Sequence, residues 1–110
     1  MKIFISQPMN GRSNEDIKNE RQLIHNWLNC YICDRCNTEQ IEIIDSFFED
    51  APHDAKPLWY LGESLKLMSE ADLVVFAPGY DKSRGCIIEY DCARQYDLIR
   101  LCLPNEYWKK

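Results

Sequence analysis

A chain of 110 residues has room for one domain, and a domain of that length buries roughly two thirds of the surface its unfolded chain exposes. Its 45% hydrophobic and 28% charged residues are ordinary for a globular protein, and no apolar run approaches the ~20 residues that a membrane span needs. A formal net charge of −5 argues against a nucleic-acid partner, because a phosphate-backbone footprint is built from clustered Lys and Arg; a single anionic nucleotide stays open.

The first residues, MKIFIS, give way at once to polar QPMNGRSNED, with no apolar core of a secretion signal between them. This predicts a cytoplasmic protein whose six cysteines are reduced thiols rather than a disulfide framework. Residues 2 to 6, KIFIS, read as a strand that Pro8 and Gly11 bring to a close. Ser13 with Asp16 resembles a capping box, and Ile17, Ile24, Trp27, Leu28 and Tyr31 recur at helical spacing, predicting a helix from about 14 to 29. The β-branched IEIID at 41 to 45 reads as a second strand, with a long loop after it. Pro57 suits a first helical turn, and Leu58, Leu61, Leu65 and Met68 trace the stripe of a second helix. LVVFAP is the continuous apolar strand of a sheet covered on both faces; Gly85 to Asp97 then forms a third helix and LIRLCL a fourth strand.

That order, βαβαβαβ with long crossovers, predicts one domain over residues 1–110: an open parallel α/β sheet of four to five strands with helices on both faces, Rossmann- or flavodoxin-like. Such sheets bind ligands beyond the C-terminal ends of their strands, where the winding reverses. The candidate loops are therefore QPMNGR, DSFFEDAP and APGYDKSRG.

Glu89 stands out behind the third of these loops. Its helical neighbours at i+3, i+4 and i+7 are Cys92, Ala93 and Tyr96, so a carboxylate sits on a largely apolar face. It is either a structural carboxylate, paired with Arg84 or Arg94, or a functional one. Cys30, Cys33 and Cys36 form C-x-x-C-x-x-C, a spacing that suits zinc or an iron-sulfur cluster only if a fourth ligand arrives, and the neighbourhood offers none; no metal is expected. Cys86, Cys92 and Cys102 read as core filling. Trp59 and Tyr60, with Phe47 and Phe48, read as core aromatics, one of which is a candidate to stack on a base.

FISQPMNG, WYLGES and ADLVVFAPGYDKSRGCIIEYDCA together resemble the nucleoside 2-deoxyribosyltransferase superfamily, with the closest likeness to a small phage-associated family of uncharacterised proteins. The deoxynucleoside 5′-monophosphate N-glycosidases are related to it. The resemblance implies cleavage or transfer at the N-glycosidic bond of a nucleoside or nucleotide, without metal or organic cofactor, by a glutamate in G-x-x-x-E-x-x-x-A; here these are Gly85, Glu89 and Ala93. It implies Glu89 as nucleophile and Ser83 as a phosphate contact, with Arg84 beside it, and it places Ser6, Gln7, Pro8, Met9 and Gly11 of the first loop and Pro78 and Gly79 of the third around the substrate. Trp59 would lie near the base. Where the glycosidases carry a helper aspartate on the second helix this chain has Ser64, which leaves Glu63 and Asp45 as substitute carboxylates. Relatives associate through helices, implying a homodimer or higher homo-oligomer. The alternative from another class is a non-catalytic nucleotide-binding or ligand-sequestering protein on the same fold.

Overall fold

The computed structural model describes residues 1–36, 41–48 and 51–105, the side chains of 32–36 excepted. Strand β1 (Lys2–Ser6) leads into helix α1 (Asn14–Cys36), β2 (Glu42–Ile43), α2 (Pro57–Met68), β3 (Leu73–Phe76), a 3-10 turn (Tyr80–Lys82), α3 (Arg84–Gln95) and β4 (Arg100–Cys102). The sheet has four strands in the order β2-β1-β3-β4, and every neighbouring pair is parallel. This is the Rossmann-like α/β arrangement expected from the element order. β1 and β3 are central, paired in register from Ile3 with Leu73 to Ser6 with Phe76. The chain winds outward from β1 to β2, then crosses back to β3. The switch point therefore falls between the two central strands.

Because side chains alternate across a strand, each central strand supplies two cores. Ile3, Ile5, Leu73 and Val75 face α1, where Ile24 and Leu28 pack on them. Phe4, Val74 and Phe76 face the other way, against Met68 of α2 and Ala93 of α3. Helices thus cover both faces, which is why LVVFAP carries no polar residue.

The element boundaries shift where local chemistry is stronger than the sequence stripe. Ser13 caps α1 as expected, its Oγ accepting from the Asp16 N–H at 3.1 Å, but the helix runs on through Cys36, two turns past the expected end. The ladder holds only two residues of β2 and three of β4, the two edge strands. Leu58, expected in the α2 stripe, is 78% exposed; Leu61 and Leu65 are half-buried and Met68 is buried, so the stripe deepens along the helix. Cys86 is core filling as expected, whereas Cys102, on edge strand β4, is exposed and Cys92 half-buried. Of the C-x-x-C-x-x-C segment, the side chains of Cys33 and Cys36 lie outside the described residues. Among the described residues no helix is long and apolar enough to cross a membrane.

Neighbouring positions on α1 separate packing from exposure. Ile24 is fully buried and Leu23 is 54% exposed. Ile24→Ala is expected to cost about 2–5 kcal/mol in urea unfolding and Leu23→Ala within about 0.5 kcal/mol of nothing. Equal costs would contradict the seating of α1.

Candidate functional site

The C-terminal end of β1 brings the predicted residues together by alternation. Ser6 turns toward α3 and Gln7 toward α1, so adjacent residues serve opposite faces of the sheet. Ser6 is 1% exposed, and its hydroxyl donates to Glu89 Oε1 at 2.6 Å. Glu89 comes from the buried stripe of α3, Cys86, Glu89 and Ala93, spaced at three and four residues. Ser64 of α2 adds a second hydroxyl to the carboxyl, so three elements converge on it.

Burial raises the pKa of Glu89 above the ordinary carboxyl value; the Ser6 hydroxyl, the charge of Arg21 and the Ser64 hydroxyl oppose the rise without cancelling it. The position of Glu89 near the start of α3, which favours the ionised form, does not reverse this direction. Neither arginine suggested as a structural partner holds it. Arg94 pairs with Asp91 at 2.6 Å, and Arg84 is exposed. The cation that acts on Glu89 is Arg21, from α1.

The first and third loops meet over this point. A Cβ added to Gly79 would lie 3.7 Å from Pro8 Cγ, and Gly79 has φ +85°, a left-handed conformation that lets the chain turn into the 3-10 segment after Pro78. Gly11, at φ +76°, makes the corresponding turn before α1, where Arg12 N–H donates to Met9 O at 3.2 Å. Ser83 is the N-cap residue of α3 and half-buried, but its hydroxyl makes no capping bond. Gly85 follows it with open space where a side chain would stand.

Gln7 is placed differently from its expected role. Its amide nitrogen donates to Ile17 O at 3.0 Å and Glu20 Oε1 at 2.8 Å, and its oxygen accepts from Arg21 Nε at 2.7 Å, so both ends are committed to α1. Glu63 turns outward to Lys66 at 2.8 Å and leaves Ser64 as the α2 residue facing Glu89. Asp45 lies with Arg21 beyond the end of β2, its Oδ1 accepting from the Phe47 N–H at 3.2 Å. Trp59 packs edge-on with Phe48 and Tyr60, at 5.7 and 5.1 Å between ring centres; Trp59 and Phe48 are half-buried, but Tyr60, expected in the core, is exposed. Tyr90 lies edge-on to Phe76 at 5.2 Å and so belongs to the packing of α3 on the sheet.

Sequence reading passed over the polar network around Gln7. Arg12 donates to Pro8 O at 3.1 Å and pairs with Glu20 at 2.8 Å; Arg21 donates to Ser46 Oγ at 2.8 Å. The signal was present: Arg21 interrupts the stripe Ile17, Ile24, Leu28 as Glu89 interrupts that of α3.

The raised pKa carries a stability signature. The folded state holds the Glu89 proton more tightly than the unfolded chain, so its contribution is full below the ordinary carboxyl value and is lost as pH rises through the folded value. Glu89→Gln, which still accepts from Ser6, is expected to melt above wild type at pH 7, with the difference shrinking toward pH 4; a lower melting point at pH 7 would mean that ionised Glu89 stabilises the fold. Comparison with protein-family models, curated proteins and solved structures finds no match to this chain, so function has to be read from this site.

Proposed function

We propose that the chain is a nucleotide-processing enzyme that cleaves or transfers at the N-glycosidic bond of a deoxynucleoside or nucleotide, with Glu89 as nucleophile. The observation that supports this most is the buried Glu89 carboxyl, held by hydroxyls from β1 and α2 beside the switch point of the sheet, at the glutamate of the G-x-x-x-E-x-x-x-A pattern. Displacement at an anomeric carbon passes through an oxocarbenium-like state that a nearby carboxylate stabilises or captures. A carboxylate oxygen of Glu89 bonds to C1′ as the C1′–N bond breaks, and the departing base takes that bond's electron pair and a proton from solvent, which the attacking water returns in the second step. Water then attacks C1′, returns the carboxylate and gives the free sugar; a second base in place of water gives transfer. Ser6 and Ser64 orient the carboxylate, and the chemistry needs no metal or organic cofactor.

A non-catalytic nucleotide-binding protein is the second reading. Its support is specific: no other carboxylate is among the groups that shift the Glu89 pKa, and Ser64 contributes a hydroxyl where the resemblance calls for an aspartate.

Incubation with a panel of deoxynucleosides and their monophosphates, read as free base by chromatography, decides between them. Glu89→Gln is expected to bind ligand and lose cleavage by about 10³-fold or more, ~4 kcal/mol of transition-state stabilisation. Since the attacking carboxylate must be ionised and its pKa is raised, wild-type cleavage should climb with pH to a point above the ordinary carboxyl range. Ser64→Asp should raise it. Tight binding with no base released by wild type or by Ser64→Asp would establish the binding-protein reading instead.

We propose a homodimer as the assembled form. Ile87 and Ile88 on α3 and Ile99 beyond it are 49, 37 and 68% exposed, apolar surface of the kind that association covers. Sedimentation at micromolar concentration should give twice 13.0 kDa; a monomer alone would refute the dimer.

A further inference from the structure

The first loop is fastened to α1 through a single carboxylate. Gln7 and Arg12 stand at its two ends, with Pro8, Met9, Asn10 and Gly11 between them. Glu20 Oε1 accepts from both, from Gln7 Nε2 at 2.8 Å and from Arg12 Nη1 at 2.8 Å. The same Arg12 nitrogen donates to Pro8 O at 3.1 Å, so the guanidinium reaches back across the loop it ends. The Arg12 N–H, bonded to Met9 O at 3.2 Å, closes the turn between them.

Helical spacing explains why Glu20 can reach the loop. Ile17 and Ile24, three residues before it and four after, are both buried, so Glu20 lies along the packed side of α1 rather than opposite to it. Its side chain is 18% exposed and that of Arg12 29%. An ion pair open to water contributes little, because solvent competes for both partners; here the carboxylate is largely withdrawn from solvent and one oxygen serves two donors. Glu20 also fixes which way the Gln7 amide points. A carboxylate only accepts and a guanidinium only donates, so the amide nitrogen turns to Glu20 and the amide oxygen to Arg21, at 2.7 Å.

The far side of the loop lies against the third loop, where Pro8 Cγ comes within 3.7 Å of a Cβ added to Gly79. Pro8 is thus held through its carbonyl by Arg12 and stands through its ring against Gly79. We propose that Glu20 is a positioning residue of the site: through Gln7 and Arg12 it sets where the first loop stands against the third, and so how well the cleft over Glu89 holds its ligand, without touching ligand or carboxyl. The ligand in question rests on the nucleotide reading of Glu89; the fastening of the loop does not.

Amide hydrogen exchange followed by NMR reads the fastening without ligand or turnover. In Glu20→Ala the amide at position 12 should exchange about tenfold faster, the scale of one lost hydrogen bond to a charged group. The Ala77 N–H, bonded to Ser6 O within the sheet at 2.8 Å, should keep its wild-type rate. Glu20→Gln, whose amide oxygen still accepts from both donors, should stay near wild type. Arg12→Ala should loosen the loop as Glu20→Ala does, and it decides the matter where Glu20→Ala does not fold.

Kinetics on the deoxynucleoside or monophosphate that wild type cleaves fastest reads the consequence. Glu20→Ala should raise KM about tenfold and leave kcat within about twofold, because the Ser6 bond to Glu89 lies on the other face of the sheet; Glu20→Gln should restore KM. Wild-type exchange at position 12 in folded Glu20→Ala and Arg12→Ala overturns the proposal and leaves the glycosidase reading untouched. Faster exchange with KM and kcat unchanged makes Glu20 a structural residue only, and a fall in kcat at wild-type KM places it in the chemistry; either overturns the positioning role. If wild type binds a monophosphate by calorimetry and cleaves none, the glycosidase reading fails alone, and a tenfold weaker Kd in Glu20→Ala then supports the positioning role as KM would have, while an unchanged Kd overturns it. Neither binding nor cleavage by wild type overturns both.

Discussion

The 2.6 Å hydrogen bond from Ser6 to Glu89 joins residues 83 positions apart and fixes where α3 stands over the end of the sheet. It depends on strand geometry. Ser6 is the last residue of β1 and pairs in register with Phe76 of β3, so its side chain must point to the face that α2 and α3 cover. Shifting that register by one residue would turn Gln7 toward α3 and Ser6 toward α1, separating both from their partners. Two polar positions at a strand's end thus set the approach of helices on opposite faces.

The cores of Ile3, Ile5, Val75 and Ile24 on one side and Phe4, Val74, Phe76 and Ala93 on the other supply the burial that makes these polar positions tolerable. A carboxyl placed among them loses water and regains two hydroxyls, a poor exchange for its ionised form, as its raised pKa records. Packing alone would favour an apolar residue at 89, continuing the stripe of Cys86 and Ala93. On the proposed reading, the cost is retained because only a carboxylate attacks C1′; strained or desolvated groups that stability does not explain are characteristic of functional sites.

Much of this was legible in the sequence. Unbroken apolar character in residues 73 to 78 and periodic stripes between the strands were enough for a parallel sheet covered on both faces, because burial on two sides leaves no alternation to see. Glu89 was legible by the same logic, as a charge within a stripe. Applied only once, that logic missed Arg21, although Ile17, Ile24 and Leu28 frame it identically. What remained out of reach were contacts set by tertiary approach. Nothing in the local pattern assigns Ser64 rather than Glu63 to the carboxyl, or commits both ends of the Gln7 amide to α1, because these follow from how the helices are rotated over the sheet.

Arg21 and Glu89 are opposite charges that influence each other without touching. Direct contact would make a buried ion pair that satisfied both, leaving neither free for a ligand. Instead, β1 stands between them: Ser6 holds the carboxyl toward α3 and Gln7 holds the guanidinium toward α1. Each charge keeps a neutral partner that orients it and an unused capacity that does not. At this separation the field of each charge favours ionisation of the other, but less than burial disfavours it.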